Sequence, residues 1–236
     1  MPATPITTIL GKNQHLFHPV VRFDPGNDKL LSLDLTRENT ELTADIFSDT
    51  GKFTRFVNEK IENAGARYAI GGFAEHRKVY SMSIVFDGAQ PGEEPRRLHL
   101  GTDIWGKPHT AVMCPLDGIV HSFAFNNRMG DYGATIILSH FLEGMSFYTL
   151  YGHLGLSSIK NIREGDRIEK GDLFAEFGIP AENGQWPPHL HFQLVKDIKG
   201  YQGDYPGVCK FSEKENWLAN SPDPDYILQL NKYLVR

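Results

Sequence analysis

The segment Pro187-Pro188-His189-Leu190-His191-Phe192-Gln193-Leu194-Val195 carries two imidazoles two residues apart in a run that reads as a β-strand. Apolar and β-favouring residues follow from Leu190, and the double proline gives a rigid entry. Alternate side chains of a strand leave the same face, so His189 and His191 point to one side, roughly 6–7 Å apart at Cα. Such a pair suits a shared site, with one imidazole binding a metal and the other beside it as acid or base. The plain alternative is two solvated histidines on an exposed strand.

Upstream, His99-Leu100-Gly101-Thr102-Asp103 sets a histidine and an aspartate four residues apart. On a straight strand their Cα atoms would be about 13 Å apart. Two ligands of one zinc ion each lie only ~2 Å from it, so the chain must bend between them. Gly101 is the residue that permits the bend. His99, Asp103 and one histidine of the later pair supply two imidazoles and a carboxylate, leaving a fourth position for water. Catalytic zinc sites have that composition, whereas structural ones close with four protein ligands and favour thiolates. His153, in Leu150-Tyr151-Gly152-His153-Leu154, ends another strand pattern and is a candidate base beside the site.

The elements that must position these residues are mostly short strands. The pattern predicts strands over 67–73, 79–86, 111–116, 119–125, 135–139, 146–151, 173–177 and 189–195, with a further short one within 29–35. Turns at Asp117-Gly118, Glu143-Gly144 and Lys170-Gly171-Asp172, and a polar loop over 87–95, separate them. The fold class is therefore mainly β, α+β overall, with an antiparallel sheet or sandwich core. Residues 1–37 read as polar and irregular, broken by Pro5, Pro19, Pro25 and Gly26. A short helix is expected over 40–47 and a better one over 49–63, where Phe53, Phe56, Val57 and Ile61 recur at helical spacing and Gly65 follows. Helices are also expected around 212–218 and from Pro224. The reading divides the chain into a partly helical N-terminal extension, 1–66, packed on a main domain, 67–236.

Of the 236 residues, 40% are hydrophobic and 22% charged, an ordinary globular composition. The net charge of −5 offers no basic surplus for a nucleic acid or an anionic membrane. No apolar run approaches the ~20 residues of a membrane span. Cys114 and Cys209 form no motif and read as structural thiols. The first ten residues lack a secretory pattern, so the expected compartment is the cytoplasm, or the periplasm or exterior if a leader has been removed.

In order and spacing, His-x-x-x-Asp, then Tyr-x-His-Leu, then His-x-His resembles the lysostaphin-type zinc metallopeptidases, peptidase family M23, with a LytM-like domain. Asp117-Gly118-Ile119-Val120 resembles the family's turn and strand after the first motif. Arg163 to Asp172 resembles its Gly-Asp-x-Val-x-Lys-Gly segment. The resemblance covers about 98–195. It implies a fold of the duplicated hybrid motif type and one Zn2+ per chain, held by His99, Asp103 and His191. His153 and His189 become the catalytic histidines, and a metal-activated water hydrolyses a peptide bond in a peptidoglycan-type or other small peptide. Two departures are His109-Thr110, where the family often has Gly-Thr, and the missing secretory pattern.

Tyr151 is placed on the strand face of His153, as an oxyanion donor or a packed residue. Glu75 and Arg77 are candidates to bind a substrate carboxylate or amine, or to pair with each other. Trp186 either lines a cleft wall or packs in the core. His140 reads as a hydrogen-bonded structural residue. Two other functions compete with the peptidase. One is a non-catalytic metal-binding or ligand-binding regulatory protein on the same fold. The other is a phosphohistidine carrier of related architecture, in which His-x-x-x-Asp would have no task.

Overall fold

The computed structural model describes residues 5–88, 90 and 92–235. Met1–Thr4, and Ala89 and Pro91 of the expected 87–95 loop, lie outside the described residues. The strands are β1 (Leu30–Leu33), β2 (Tyr68–Gly71), β3 (Arg96–His99), β4 (Thr102–Trp105), β5 (Ala111–Met113), β6 (Gly118–Asn126), β7 (Gly133–Leu142), β8 (Met145–Leu154), β9 (Arg167–Ile168), β10 (Leu173–Glu176), β11 (His189–Val195), β12 (Val208–Lys210) and β13 (Leu234–Val235). The helices are α1 (Ile6–Lys12), α2 (Ala44–Phe47), α3 (Thr50–Asn63), α4 (Ser157–Lys160), α5 (Lys214–Asn220) and α6 (Asp225–Leu228). None is long and apolar enough to cross a membrane.

Nine strands form one sheet in the order β13-β1-β2-β4-β11-β8-β7-β6-β9. β1 runs parallel to both β13 and β2, and the other pairings are antiparallel. Two small ladders, β10 with β5 and β12 with β3, complete the mainly β fold. β1 lies within residues 1–66, so that segment is joined to the rest by a strand ladder as well as by packing.

Alternation along the central strands separates the two faces of the sheet. Ile70 of β2, Ile104 of β4, and Leu190, Phe192 and Leu194 of β11 belong to one large buried cluster. Their neighbours Ala69 and Trp105 belong to a second cluster with Phe53 and Val57 of α3. The histidines of β11 share this second face.

Three expectations need correction. Residues 79–86 do not form a strand. They make two 3-10 turns, Val79–Met82 and Ile84–Phe86. Ser83 breaks the run, since its hydroxyl accepts from Val85 N and donates to Met129 O at 2.7 Å. Val79, Tyr80 and Phe86 are buried while Ile84 is 88% exposed, so the segment forms a wall instead of a ladder. The N-terminal segment is also more regular than expected. α1 buries Ile6, Ile9 and Leu10, and packs near α6 with Gly11 close to the Tyr226 ring. Its β-branched residues and Gly11 hide it from propensity. The helix expected over 40–47 is confined to α2.

Candidate active site

Register builds the centre of the site. Gly71 of β2, Asp103 of β4, His191 of β11 and Gly152 of β8 are direct cross-strand neighbours in one row. The two glycines leave space at its ends. A Cβ on Gly71 would stand 2.7 Å from Arg77 Nη2, and one on Gly152 would stand 2.4 Å from the Tyr132 ring. In the next row Trp105 pairs with His189 and stacks on its ring, with centroids 3.9 Å apart and planes 13° apart.

His99 ends β3, which pairs with β12 outside the main sheet, so the chain does turn between His99 and Asp103. Gly101 is needed there for close approach: a Cβ would lie 2.5 Å from His191 Cε1 and 2.8 Å from Phe192 O. Its φ is not positive, so the glycine gives room, not a left-handed bend.

Hydrogen bonds fix the protons on all four histidines. His99 Nδ1 donates to Gly72 O at 3.0 Å, leaving Nε2 as a lone pair. Gln193 donates Nε2 to Pro206 O and Ser221 Oγ, so its Oε1 must accept from His191 Nε2 at 2.9 Å. His191 Nδ1 is then a lone pair as well. His189 Nδ1 donates to Pro187 O at 2.7 Å, and His153 Nδ1 donates to Asn183 O at 2.8 Å. Their Nε2 atoms are free to accept a proton.

The atoms left without protons converge. His99 Nε2 lies 2.9 Å from His191 Nδ1 and 3.3 Å from Asp103 Oδ1, and His191 Nδ1 lies 3.1 Å from the same oxygen. A triangle with these edges has its centre about 1.8 Å from each corner, close to the ~2.0–2.1 Å of zinc–nitrogen bonds. Two lone pairs at 2.9 Å repel unless a cation stands between them. The donor set therefore fits a divalent metal on both distance and proton inventory.

All three residues are at most 3% exposed. Burial pushes the Asp103 carboxyl up, but the Arg77 guanidinium on its Oδ2 opposes this, and the carboxyl is held well below the usual carboxylate range. Burial lowers His99 to about 3 and His189 to about 4, and lowers His153 well below its ordinary value. These imidazoles are neutral near pH 7, as metal ligands and proton acceptors require.

The second pair of imidazoles stands beside the triangle. His189 Nε2 is 4.0 Å from Asp103 Oδ1, and the His153 and His189 rings are 4.1 Å apart. His153 reaches them through a non-glycine φ of 62°. This left-handed residue reverses the alternation of β8, and with it the reading of Tyr151. Tyr151 and His153 leave opposite faces. Tyr151 is fully buried against Phe174 and Phe192, with its hydroxyl 3.1 Å from Thr149 Oγ1.

Glu75 and Arg77 are not in the cleft either. They pair with each other at 2.6 Å, and Arg77 is buried on Asp103. Trp186 is 3% exposed and joins both of its alternatives, packing edge-on to Phe53 and bordering His153. His140 is structural, bonded to Asp117 O and to Thr149 Oγ1.

An open cleft of about 980 Å³ meets this centre, lined among others by Tyr80, Phe86, Tyr132, His153, Trp186 and His191. A small cavity of about 20 Å³ is lined by Asp103, His189 and His191 together with Trp105 and Trp186, with room for one water-sized species. Tyr132 puts its hydroxyl 3.3 Å from His191 Nε2. Gln193 and Trp105 could have been found from strand alternation, each lying two residues from a candidate ligand. Nothing in the sequence marks Tyr132.

Residues 97–203 match the model of Peptidase family M23. Over these residues, which carry His99, Asp103, His153, His189 and His191, the chain is similar to that family. An L-Ala--D-Glu endopeptidase of Bacillus subtilis (strain 168) is 30% identical to it over 126 residues, 51% of this chain and 36% of that protein. The chain thus spans about a third of the length of that curated relative. Among solved structures, the catalytic domain of lysostaphin from Staphylococcus simulans aligns with a TM-score of 0.39 at 17% identity, covering 70% of this chain and 96% of that one. A zinc-containing peptidase from Vibrio cholerae aligns with a TM-score of 0.34 at 22% identity, covering 46% and 30%.

Proposed function

We propose that the domain is a zinc-dependent endopeptidase acting on short, peptidoglycan-type peptides. The observation that carries this reading is the convergence of His99 Nε2, His191 Nδ1 and Asp103 Oδ1, proton-free and mutually 2.9–3.3 Å apart, with two further neutral imidazoles beside them. His99, Asp103 and His191 would hold the ion. When bound, zinc supplies Lewis-acid polarisation of a carbonyl and a water acidified toward neutrality.

The chain's own residues supply the proton handling and the positioning. His189 Nε2 faces the triangle and can accept the proton of an attacking water. His153 Nε2, a ring away, can hold or pass that proton toward a departing amine. The Pro187 and Asn183 carbonyls keep both rings in the accepting tautomer. Trp105, stacked on His189, limits its rotation and excludes water from one side. No side-chain nucleophile is called for.

The open cleft admits an extended peptide, and Arg96, Arg128, Asp131 and Asp204 give its walls charge of both signs. The peptidoglycan class of substrate is supported by the name of the Bacillus subtilis relative. The test is a screen of muropeptides and peptide libraries with the zinc-loaded chain. Cleavage that is lost with a chelator, restored by zinc and absent in His189→Asn is expected. Chelator-resistant cleavage, or none across the library by zinc-loaded protein, would contradict the proposal.

A further inference from the structure

The metal-facing atoms are supported from outside the matched domain. Gly72, Glu75 and Arg77 all precede residue 97, where the family match begins. The Gly72 carbonyl accepts from His99 Nδ1 at 3.0 Å and from Arg77 Nη2 at 3.3 Å. The Arg77 side chain, 2% exposed, donates Nη1 to Asp103 Oδ2 at 2.5 Å and Nε to Glu75 Oε2 at 2.6 Å. Glu75 Oε1 accepts from the Leu35 amide at 3.2 Å, so the chain of contacts runs back into the N-terminal segment. The backbone is fastened at the same place: His99 N donates to Glu75 O, and Arg77 N to Arg97 O, both at 2.9 Å.

We propose that the buried Arg77 and the half-buried Glu75 form a positioning pair for Asp103, in which Arg77 holds Oδ2 so that the carboxylate meets a divalent cation through Oδ1 alone, while Glu75 cancels the guanidinium charge. This rests on the metal site proposed above. The argument is one of valence and charge. Oδ1 lies in the donor triangle, and Oδ2 is taken by one N–H of a guanidinium that cannot lose its proton. A carboxylate free at both oxygens could rotate or chelate. Arg77 alone would also set a buried cation against an incoming one. With Glu75 ionised, the trio Glu75, Arg77 and Asp103 keeps a single net negative charge. The arrangement is that of a group outside the ligand set that orients a ligand and tunes the ion it holds.

The test is zinc affinity of the full chain by competition with a chromophoric chelator. The melting temperature of the metal-free protein and the visible spectrum of the Co2+-loaded protein are read in parallel. Arg77→Met is expected to bind zinc about 10–100-fold more weakly. Its Co2+ bands should weaken as the freed carboxylate chelates and the coordination number rises. Arg77→Lys, whose single ammonium reaches one carboxylate, should fall between the two. Glu75→Gln removes the charge and keeps the shape, and it carries the test if Arg77→Met does not fold. It should bind zinc several-fold more weakly with little change in metal-free melting. Native zinc affinity with an unchanged Co2+ spectrum, in folded Arg77→Met or in Glu75→Gln, would overturn the pair's role and leave the metal site standing. Failure of the native chain to bind either ion would overturn the metal site itself, and this role with it.

Discussion

His99 Nε2 and His191 Nδ1 face each other at 2.9 Å, and neither holds a proton for the other. The remaining nitrogen of each ring is already a donor, His99 to the Gly72 carbonyl and His191 to the Gln193 amide oxygen. Buried polar atoms are normally paired with a partner of opposite role. Two acceptors and the Asp103 carboxylate turned onto one point make a cation-shaped vertex.

Zinc should therefore stabilise the fold. A ligand that binds only the native state at a thousandfold excess over its Kd adds about 4 kcal/mol. The melting temperature of metal-stripped protein is expected to rise by several degrees on adding zinc, and His99→Ala and His191→Ala should lose that response. Equal shifts in both variants would place the ion elsewhere.

His153 and His189 are separable from the metal. His153→Asn suits the φ of 62°, because asparagine tolerates the left-handed region. Both His153→Asn and His189→Asn should retain native zinc content while kcat falls by roughly 10²–10⁴-fold, the usual contribution of a proton-transfer group. Zinc loss in either variant would make that residue a ligand.

Gly101→Ala probes the close approach behind His191. A methyl 2.5 Å from Cε1 must push the ring out of the donor triangle. Zinc affinity should drop at least about tenfold. A native affinity, measured by chelator competition, would mean that the ring adjusts without loss.

The pH dependence of stability has a definite sign. Burial lowers His140 from 6.5 to about 4, far from the site. Between those values the unfolded chain binds a proton that the folded one refuses, so stability falls as pH drops from 6.5 toward 4 and levels off below. His189, lowered to about 4, and His99, lowered to about 3, act in the same direction in metal-free protein. Urea midpoints of metal-free protein should fall across this window, and less steeply in His140→Gln. A flat profile would contradict the buried neutral histidines.

The sequence reveals the site where a simple period holds. Strand alternation places His189 and His191 on one face, and the four-residue spacing of His99 and Asp103 demands the turn that the chain makes. It fails where tertiary contact overrides the period. The left-handed backbone at His153 sends Tyr151 to the opposite face, which no side-chain pattern encodes. Ser83 turns an apolar, strand-like run into a cleft wall. The role of Arg77 depends on Gly71 leaving it space one strand away from Asp103, a relation visible only once β2 and β4 are paired. α1 is held by buried contacts and by its neighbour α6, not by its own propensity.

The most direct measurement is the zinc content of the folded chain by native mass spectrometry after zinc loading and removal of excess ion, for the native protein and Asp103→Ala. The account predicts about one zinc per chain in the native protein and none retained in the variant. No zinc in the native protein, or equal zinc in both, would contradict it.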